Sequence, residues 1–334
     1  MGVPRAARGL GTRAASARRA KAHRFTGTGR SEIVSLMSRL LVLRLSALGD
    51  VIHTIPAVVS LGGGADITWV VEAPYRELVE IVAGVRTIPV LMKKWTREPR
   101  VAVTALREMR GFDASIDFQG LIKSALLGAL SGAKTRYGFD RRAVREKPAL
   151  LFTNRKIEVD TTRHVIDQNL QLARAVREPQ PGIARWQQYP TAVPGYEGAV
   201  VLLPGAGKAN KLWPVERFRE LARQVGAKAL AVWGPGEREL AVGIGARMAP
   251  ATNLRELAWI LQKAEVVIGA DTGPLHLAAA LGSRVIGLYG PTDPRRNGPY
   301  GQSERCLDHF RTTKSMESIS VEEVMNTLQR VVAE

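Results

Sequence analysis

The sequence predicts an α/β protein of two doubly wound domains, and three observations carry that prediction. Strand-length apolar runs alternate with helical stretches from Met37 onward, a Pro- and Gly-rich stretch at 179–198 divides the alternation in two, and residues 265–301 spell a full strand, turn, helix, strand unit of a parallel sheet. The length suffices: 334 residues with 45% hydrophobic content are enough to build two cores.

Residues 1–36 stand apart. Eight Arg or Lys and a single acid, Glu32, amid Ala, Gly and Ser build no core, so a disordered basic extension is expected. An Arg-rich, acid-poor start also resembles an organellar transit peptide, but Met37 lies just ahead of the first strand, and an over-extended start codon is the preferred explanation. The first domain is expected over 37–180. Its opening strand at 40–45 is apolar except for Arg44, and Ser46-Ala47-Leu48-Gly49-Asp50 turns into a helix from about Val51 that Gly62-Gly63-Gly64 ends. Strands at 67–71 and 113–118 follow, and the alternation runs on to about Arg177.

Residues 181–198 read as the linker, and a second α/β domain is expected over 199–315. It opens with a strand at 200–203, continues with one at 229–233, and carries a helix with Leu254, Leu257, Ile260 and Leu261 at helical spacing behind Thr252-Asn253. In the 265–301 unit, Val266, Val267 and Ile268 form a β-branched strand and Asp271-Thr272-Gly273 a turn. Pro274 opens a helix where no N–H is required, and Gly282 leads to a strand at 285–288. An amphipathic helix at 321–332, within a C-terminal segment 316–334, closes the chain.

Two turns suit a phosphate. A strand feeding a helix through Asp271-Thr272-Gly273 leaves first-turn amides free and aims the positive end of the helix dipole at the sheet's carboxyl edge. Taken singly, Asp271 and Thr272 are equally good helix caps and His276 a good core histidine. The strand at 200–203 runs into Pro204-Gly205-Ala206-Gly207-Lys208-Ala209-Asn210-Lys211, where glycines bare amides and Lys208 and Lys211 add charge. The plainer reading is a solvated basic loop. Glu237 stands at the end of the 229–233 strand, a carboxylate at the mouth of the sheet.

Several chemistries are excluded. No GxGxxG follows the first strand and 128–135 lacks P-loop spacing, so neither a Rossmann dehydrogenase nor a P-loop NTPase is supported. No His, Cys, Asp or Glu cluster has metal-ligand spacing and no Asp-x-Asp motif occurs, so no metal and no cofactor are expected. One cysteine, Cys306, rules out a disulfide framework and points to a reducing compartment, hence the cytoplasm. No apolar run nears the roughly 20 residues that cross a bilayer.

The 265–301 unit with Tyr289-Gly290-Pro291-Thr292-Asp293-Pro294 resembles the C-terminal signature of the ADP-heptose:lipopolysaccharide heptosyltransferases, inverting glycosyltransferases of the GT-B fold. The resemblance extends from Met37 over essentially the whole chain, through Ser46 to Pro56, Lys93-Lys94-Trp95, 116–125, Arg145-Glu146-Lys147 and Asn154-Arg155-Lys156. It is closest to the family's heptosyltransferase I branch, which adds the first heptose to the 3-deoxy-octulosonic acid of the inner core. It implies two Rossmann-like domains facing across a cleft, with the C-terminal helix packing back towards the first. It also implies that Lys211 grips the nucleotide diphosphate, with Gly207, Lys208, Asp271, Thr272, Gly273 and His276 around the donor, Glu237 on the ribose and Thr252 near the adenine. Threonines common in relatives are replaced by Gly205-Ala206-Gly207, so backbone amides take over any hydroxyl contact there. A heptosyltransferase II or another nucleotide-sugar transferase of the family is the alternative within the class.

An inverting transferase needs one base, and Asp50 is the candidate. It is ionised at neutral pH and lies at the carboxyl end of the first strand, where open α/β sheets place ligands. Its position also suits a helix cap, and His53 is the substitute base. The net charge of +17 calls for an anionic partner. Residues 37–180 carry 22 Lys and Arg against 15 acids, and 181–334 carry 18 against 15, so the excess lies in the first domain. Lys93, Lys94, Arg97, Gln119, Lys123 and Arg145 are the candidates to meet a lipid A core glycolipid. A monomer in peripheral contact with the anionic inner face of the bacterial inner membrane is expected. The alternative of a different class, a basic nucleic-acid binder, lacks the interleaved aromatics of a single-strand site.

Overall fold

The computed structural model describes residues 39–62, 65–80, 85–95, 97–178 and 191–334. The basic extension at 1–36 and most of the linker, 179–190, lie outside the described residues. Two six-stranded parallel sheets make up the fold. The first consists of β1 (Arg39–Leu43), β2 (Asp66–Glu72), β3 (Val85–Val90), β4 (Ala114–Asp117), β5 (Thr135–Phe139) and β6 (Arg155–Ile157), in the order β3-β2-β1-β4-β5-β6. The second consists of β7 (Val200–Leu203), β8 (Ala229–Ala231), β9 (Arg247–Met248), β10 (Val266–Ala270), β11 (Val285–Tyr289) and β12 (Cys306–Asp308), in the order β12-β11-β10-β7-β8-β9.

The two orders are mirror readings of one plan. Strand order reverses between β1 and β4 in one sheet and between β7 and β10 in the other, and at such a point the loops leaving neighbouring carboxyl ends diverge and open a crevice. The central strands are apolar because both faces are covered: Leu40 to Leu43 and Val266 to Ala270 are all buried. One core is continuous across both sheets, from Leu40 and Trp69 to Leu275 and Leu277. Asn169, on the helix Val165–Val176, donates to His53 O at 3.0 Å. The ring of His164 lies 3.0 Å from Gly298 O, and the Tyr300 hydroxyl donates to Asp167 at 2.8 Å.

The C-terminal helix completes the second domain. Val321–Ala333 packs on the helix Val215–Val225 and on β10 and β11 of the second sheet. The reason is its apolar stripe: Val324, Leu328 and Val331 complete the second domain's core, and the Trp213 indole N–H donates to Ile319 O at 2.9 Å just ahead of the helix. Among the described residues no helix is long and apolar enough to cross a membrane.

Candidate active site between the two sheets

The crevices of the two sheets face each other and enclose a cavity of ≈ 590 Å³. The helix starts of the two domains meet at its floor. A Cβ on Gly273 would lie 2.6 Å from the Leu48 side chain, and one on Gly49 would lie 3.0 Å from the His276 ring, so both glycines are required for this close packing. The first domain's helix begins at Leu48 rather than near Val51, which puts Asp50 in its first turn behind Ala47.

Asp50 is gripped by two arginines. Arg44 Nη2 lies 2.9 Å from its carboxylate and Arg145 Nη2 bridges both oxygens at 2.9 and 3.0 Å. Burial pushes the Asp50 carboxyl up, but the Arg44 and Arg145 charges outweigh it and hold it below its ordinary value. Arg44 is 1% exposed, its guanidinium spent on Asp50, on Asp50 O and on Phe118 O, and burial brings its own pKa down to about 10. Beside it, Asp117 accepts from the Gln119 and Gly120 amides at 2.9 and 3.1 Å, while burial pushes its carboxyl up to about 6.

Across the cavity, Asp271 is the hub. Lys211 Nζ lies 2.6 Å from Oδ2, and His276 Nε2 and Asn297 Nδ2 each lie 2.9 Å from Oδ1. Burial pushes the Asp271 carboxyl up, yet the His276 hydrogen bond and the Lys211 charge outweigh that and hold it far below its ordinary range. His276 Nδ1 is buried and without a hydrogen-bond partner, and Thr272 Oγ1 is likewise unpartnered. His53 stacks near this network with its ring 4.4 Å from that of His276 and 5.5 Å from that of His164. Burial, reinforced by the two neighbouring histidines, keeps His53 neutral.

All ten catalytic and donor candidates line this cavity: Asp50, Gly207, Lys208, Lys211, Glu237, Thr252, Asp271, Thr272, Gly273 and His276. Glu237 is folded inward, its Oε2 accepting from the Gly234 amide at 2.8 Å, and only a glycine at 205 leaves room for its carboxylate. The acceptor candidates are placed differently. Arg145 reaches the site through Asp50, whereas Lys93, Lys94 and Arg97 are exposed outside the cavity lining. Gln119 is buried with its amide oxygen accepting from Leu45 N at 2.7 Å, and Lys123 sits 3.8 Å from Glu72. Sequence reasoning missed Arg44, Arg296 and Asn297. Arg44 had a signal, a charge at the carboxyl edge of an apolar strand. Among the described residues no group of three or more His, Cys, Asp or Glu is arranged to hold a metal ion.

Two opposed Rossmann-like sheets with a cation- and amide-lined cavity between their switch points define a nucleotide-sugar glycosyltransferase of the GT-B type. The chain belongs to glycosyltransferase family 9, the heptosyltransferases, whose profile matches residues 103–326. It is 35% identical over 295 residues to lipopolysaccharide heptosyltransferase 1 of Pseudomonas aeruginosa, covering 80% of this chain and 82% of that protein. It is 32% identical over 293 residues to the Escherichia coli K12 protein of the same name, covering 80% and 92%. The structure of E. coli heptosyltransferase WaaC with ADP superposes with a TM-score of 0.75 at 28% identity, over 88% of this chain and 99% of that one. WaaC with ADP-2-deoxy-2-fluoro heptose gives 0.73 at 28% identity, over 87% and 99%.

Proposed function

We propose that this protein transfers the heptosyl group of ADP-heptose to the 3-deoxy-octulosonic acid of the lipopolysaccharide inner core, with inversion at the anomeric carbon. The observation that carries the reading is the opposition, across one cavity, of Asp50 on the first domain and the Lys211–Asp271–His276 network on the second. The relatives named lipopolysaccharide heptosyltransferase 1 support the reaction, and WaaC solved with ADP supports the donor.

The diphosphate meets Lys211, Lys208 and the amides of 205–207, with Glu237 beside the ribose and Thr252 towards the base. The Thr272 hydroxyl and His276 Nδ1 are unpaired polar atoms suited to sugar hydroxyls. Asp50 takes the proton of the acceptor hydroxyl while that oxygen forms a bond to the anomeric carbon. The bond from that carbon to the diphosphate oxygen breaks on the opposite face, and ADP leaves with its charge met by the lysines. Arg145 and the exposed Lys93, Lys94 and Arg97 face the acceptor's carboxylates and phosphates. The enzyme works as a monomer on the cytoplasmic side, in peripheral contact with the inner membrane. Incubating the full-length protein with ADP-heptose and a heptose-free core glycolipid, and reading the product mass, tests donor, acceptor and reaction together. Addition of one heptose is expected; an unchanged acceptor with intact ADP-heptose contradicts the reading.

A further inference from the structure

The helix Ile122–Leu130 fills the first domain's core with one side and shows an apolar stripe on the other. Ser124, Ala125, Leu127 and Gly128 are buried, whereas Ile122, Leu126 and Leu130, four residues apart, are 39%, 38% and 45% exposed. The segment Lys147–Leu151 runs alongside and ends in Leu151, 82% exposed. Its direction is fixed at both ends. The Ile122 amide donates to Glu146 Oε2 at 2.7 Å, and Arg136 donates to Phe152 O at 2.7 Å and to Ala133 O at 3.1 Å, which ties the start of the segment to the start of the helix and its end to the chain just past the helix. One exposed leucine is ordinary, but four large apolar side chains held partly or wholly out of the core on one face mark a contact surface.

Charge identifies what the surface contacts. Residues 119–158 hold nine Lys and Arg against three acids, a net +6, and Lys134, Arg141, Arg142 and Lys147 are exposed around the stripe. A second copy of the chain would set this positive field against itself, which disfavours self-association. An apolar row rimmed with cations fits a bilayer of anionic phospholipid, with the leucines at the headgroup and acyl boundary and the cations on phosphates. We propose that the stripe Ile122, Leu126 and Leu130 with Leu151 docks on an anionic phospholipid bilayer. The helix starts at the carboxyl edge of β4, beside Gly120 and the Arg145 backbone. Docking on this face brings the cavity mouth to the lipid surface, where a membrane-anchored acceptor stands; this last step rests on the function proposed above.

The test is co-sedimentation of the full-length protein with vesicles of phosphatidylglycerol and phosphatidylethanolamine, against vesicles of phosphatidylcholine alone. The comparison is with the triple variant Leu126→Ser, Leu130→Ser, Leu151→Ser, whose folding is checked by its melting temperature and by retention of transfer to a soluble acceptor. The unaltered protein is expected on the anionic vesicles only, and the triple variant should lose at least ~10-fold in vesicle affinity. Heptosyl transfer to a deacylated, soluble acceptor should be kept by the triple variant. Equal sedimentation of the two proteins overturns the proposal. So does a failure of the unaltered protein to bind anionic vesicles together with a dimer in analytical ultracentrifugation that the triple variant dissociates, which assigns the stripe to a second copy. Vesicle binding needs neither donor nor acceptor, so it stands or falls apart from the transferase reading.

Discussion

Arg44 and Asp50 meet at 2.9 Å across the first strand-to-helix turn, the arginine buried and bonded as well to the carbonyls of Asp50 and Phe118. A planar fork so fixed sets the angle at which the carboxylate faces the cavity, something a lysine cannot reproduce. Arg44→Lys therefore keeps the charge and loses the aim. Turnover should fall by about 10²-fold with donor affinity intact, measured as kcat and as ADP binding by calorimetry. Unaltered turnover would make Arg44 a purely structural cation.

Lys211 is held on Asp271 and lines the cavity beside Gly207 and Lys208, where the proposed reading puts the diphosphate. Lys211→Ala removes a preorganised cation from the leaving group and should lower kcat by about 10²-fold. Glu237→Ala should act instead on KM for ADP-heptose, because that carboxylate sits at the far side of the loop against Gly205 and Gly234. Equal donor affinity and turnover in Lys211→Ala would remove the phosphate-loop assignment.

The pH dependence has two opposite parts. Asp50 and Asp271 have folded pKa values below the ordinary 3.8, so the stability they contribute is present above 3.8 and is lost as pH falls through their folded values. Asp117 is the reverse case. Its folded value of about 6 lies above 3.8, so ionisation weakens the fold as pH rises from about 4 past 6. Asp117→Asn keeps an acceptor for the Gln119 and Gly120 amides and should flatten the decline in melting temperature between pH 4 and 7. A variant whose melting temperature tracks the unaltered protein over that range would show that Asp117 does not titrate there.

His53 is neutral and buried between two other histidines, with its carbonyl tied to Asn169. It lines the same cavity as Asp50, and with Asp50 as the proposed base His53→Gln should cost less than ~10-fold in turnover. A loss matching that of an Asp50 variant would transfer the base to His53.

Much of this was legible in the chain. The strands at 200–203 and 285–288 and the turn at 271–273 announced themselves because parallel strands buried on both faces read as unbroken apolar runs and because Gly and Pro punctuate the turns. Thr272 and His276 taken singly read as a helix cap and a core histidine, and only the family resemblance pointed them towards the donor. What escaped was tertiary. Nothing in the pattern of Val321–Ala333 says which sheet its stripe covers, and the placement of Val324 and Leu328 on the second core decides it. The bond from Leu45 N to the Gln119 side-chain oxygen joins residues 74 apart, a contact that no local pattern announces. Arg44 read as a blemish in a strand because its partner, Asp50, lies in a turn whose geometry the sequence does not specify.

The central claim is that Asp50 accepts the acceptor's proton, and the turnover of Asp50→Asn tests it most directly. Asparagine keeps the size and an acceptor for Arg44 but cannot take a proton at neutral pH. Weakening the contacts with Arg44 and Arg145 should cost about 1–3 kcal/mol of stability and leave the protein folded with ADP affinity unchanged. Heptosyl transfer should drop by about 10²–10⁴-fold. A folded Asp50→Asn protein that transfers heptose at the unaltered rate would contradict the account and leave Asp50 as a cap on its helix.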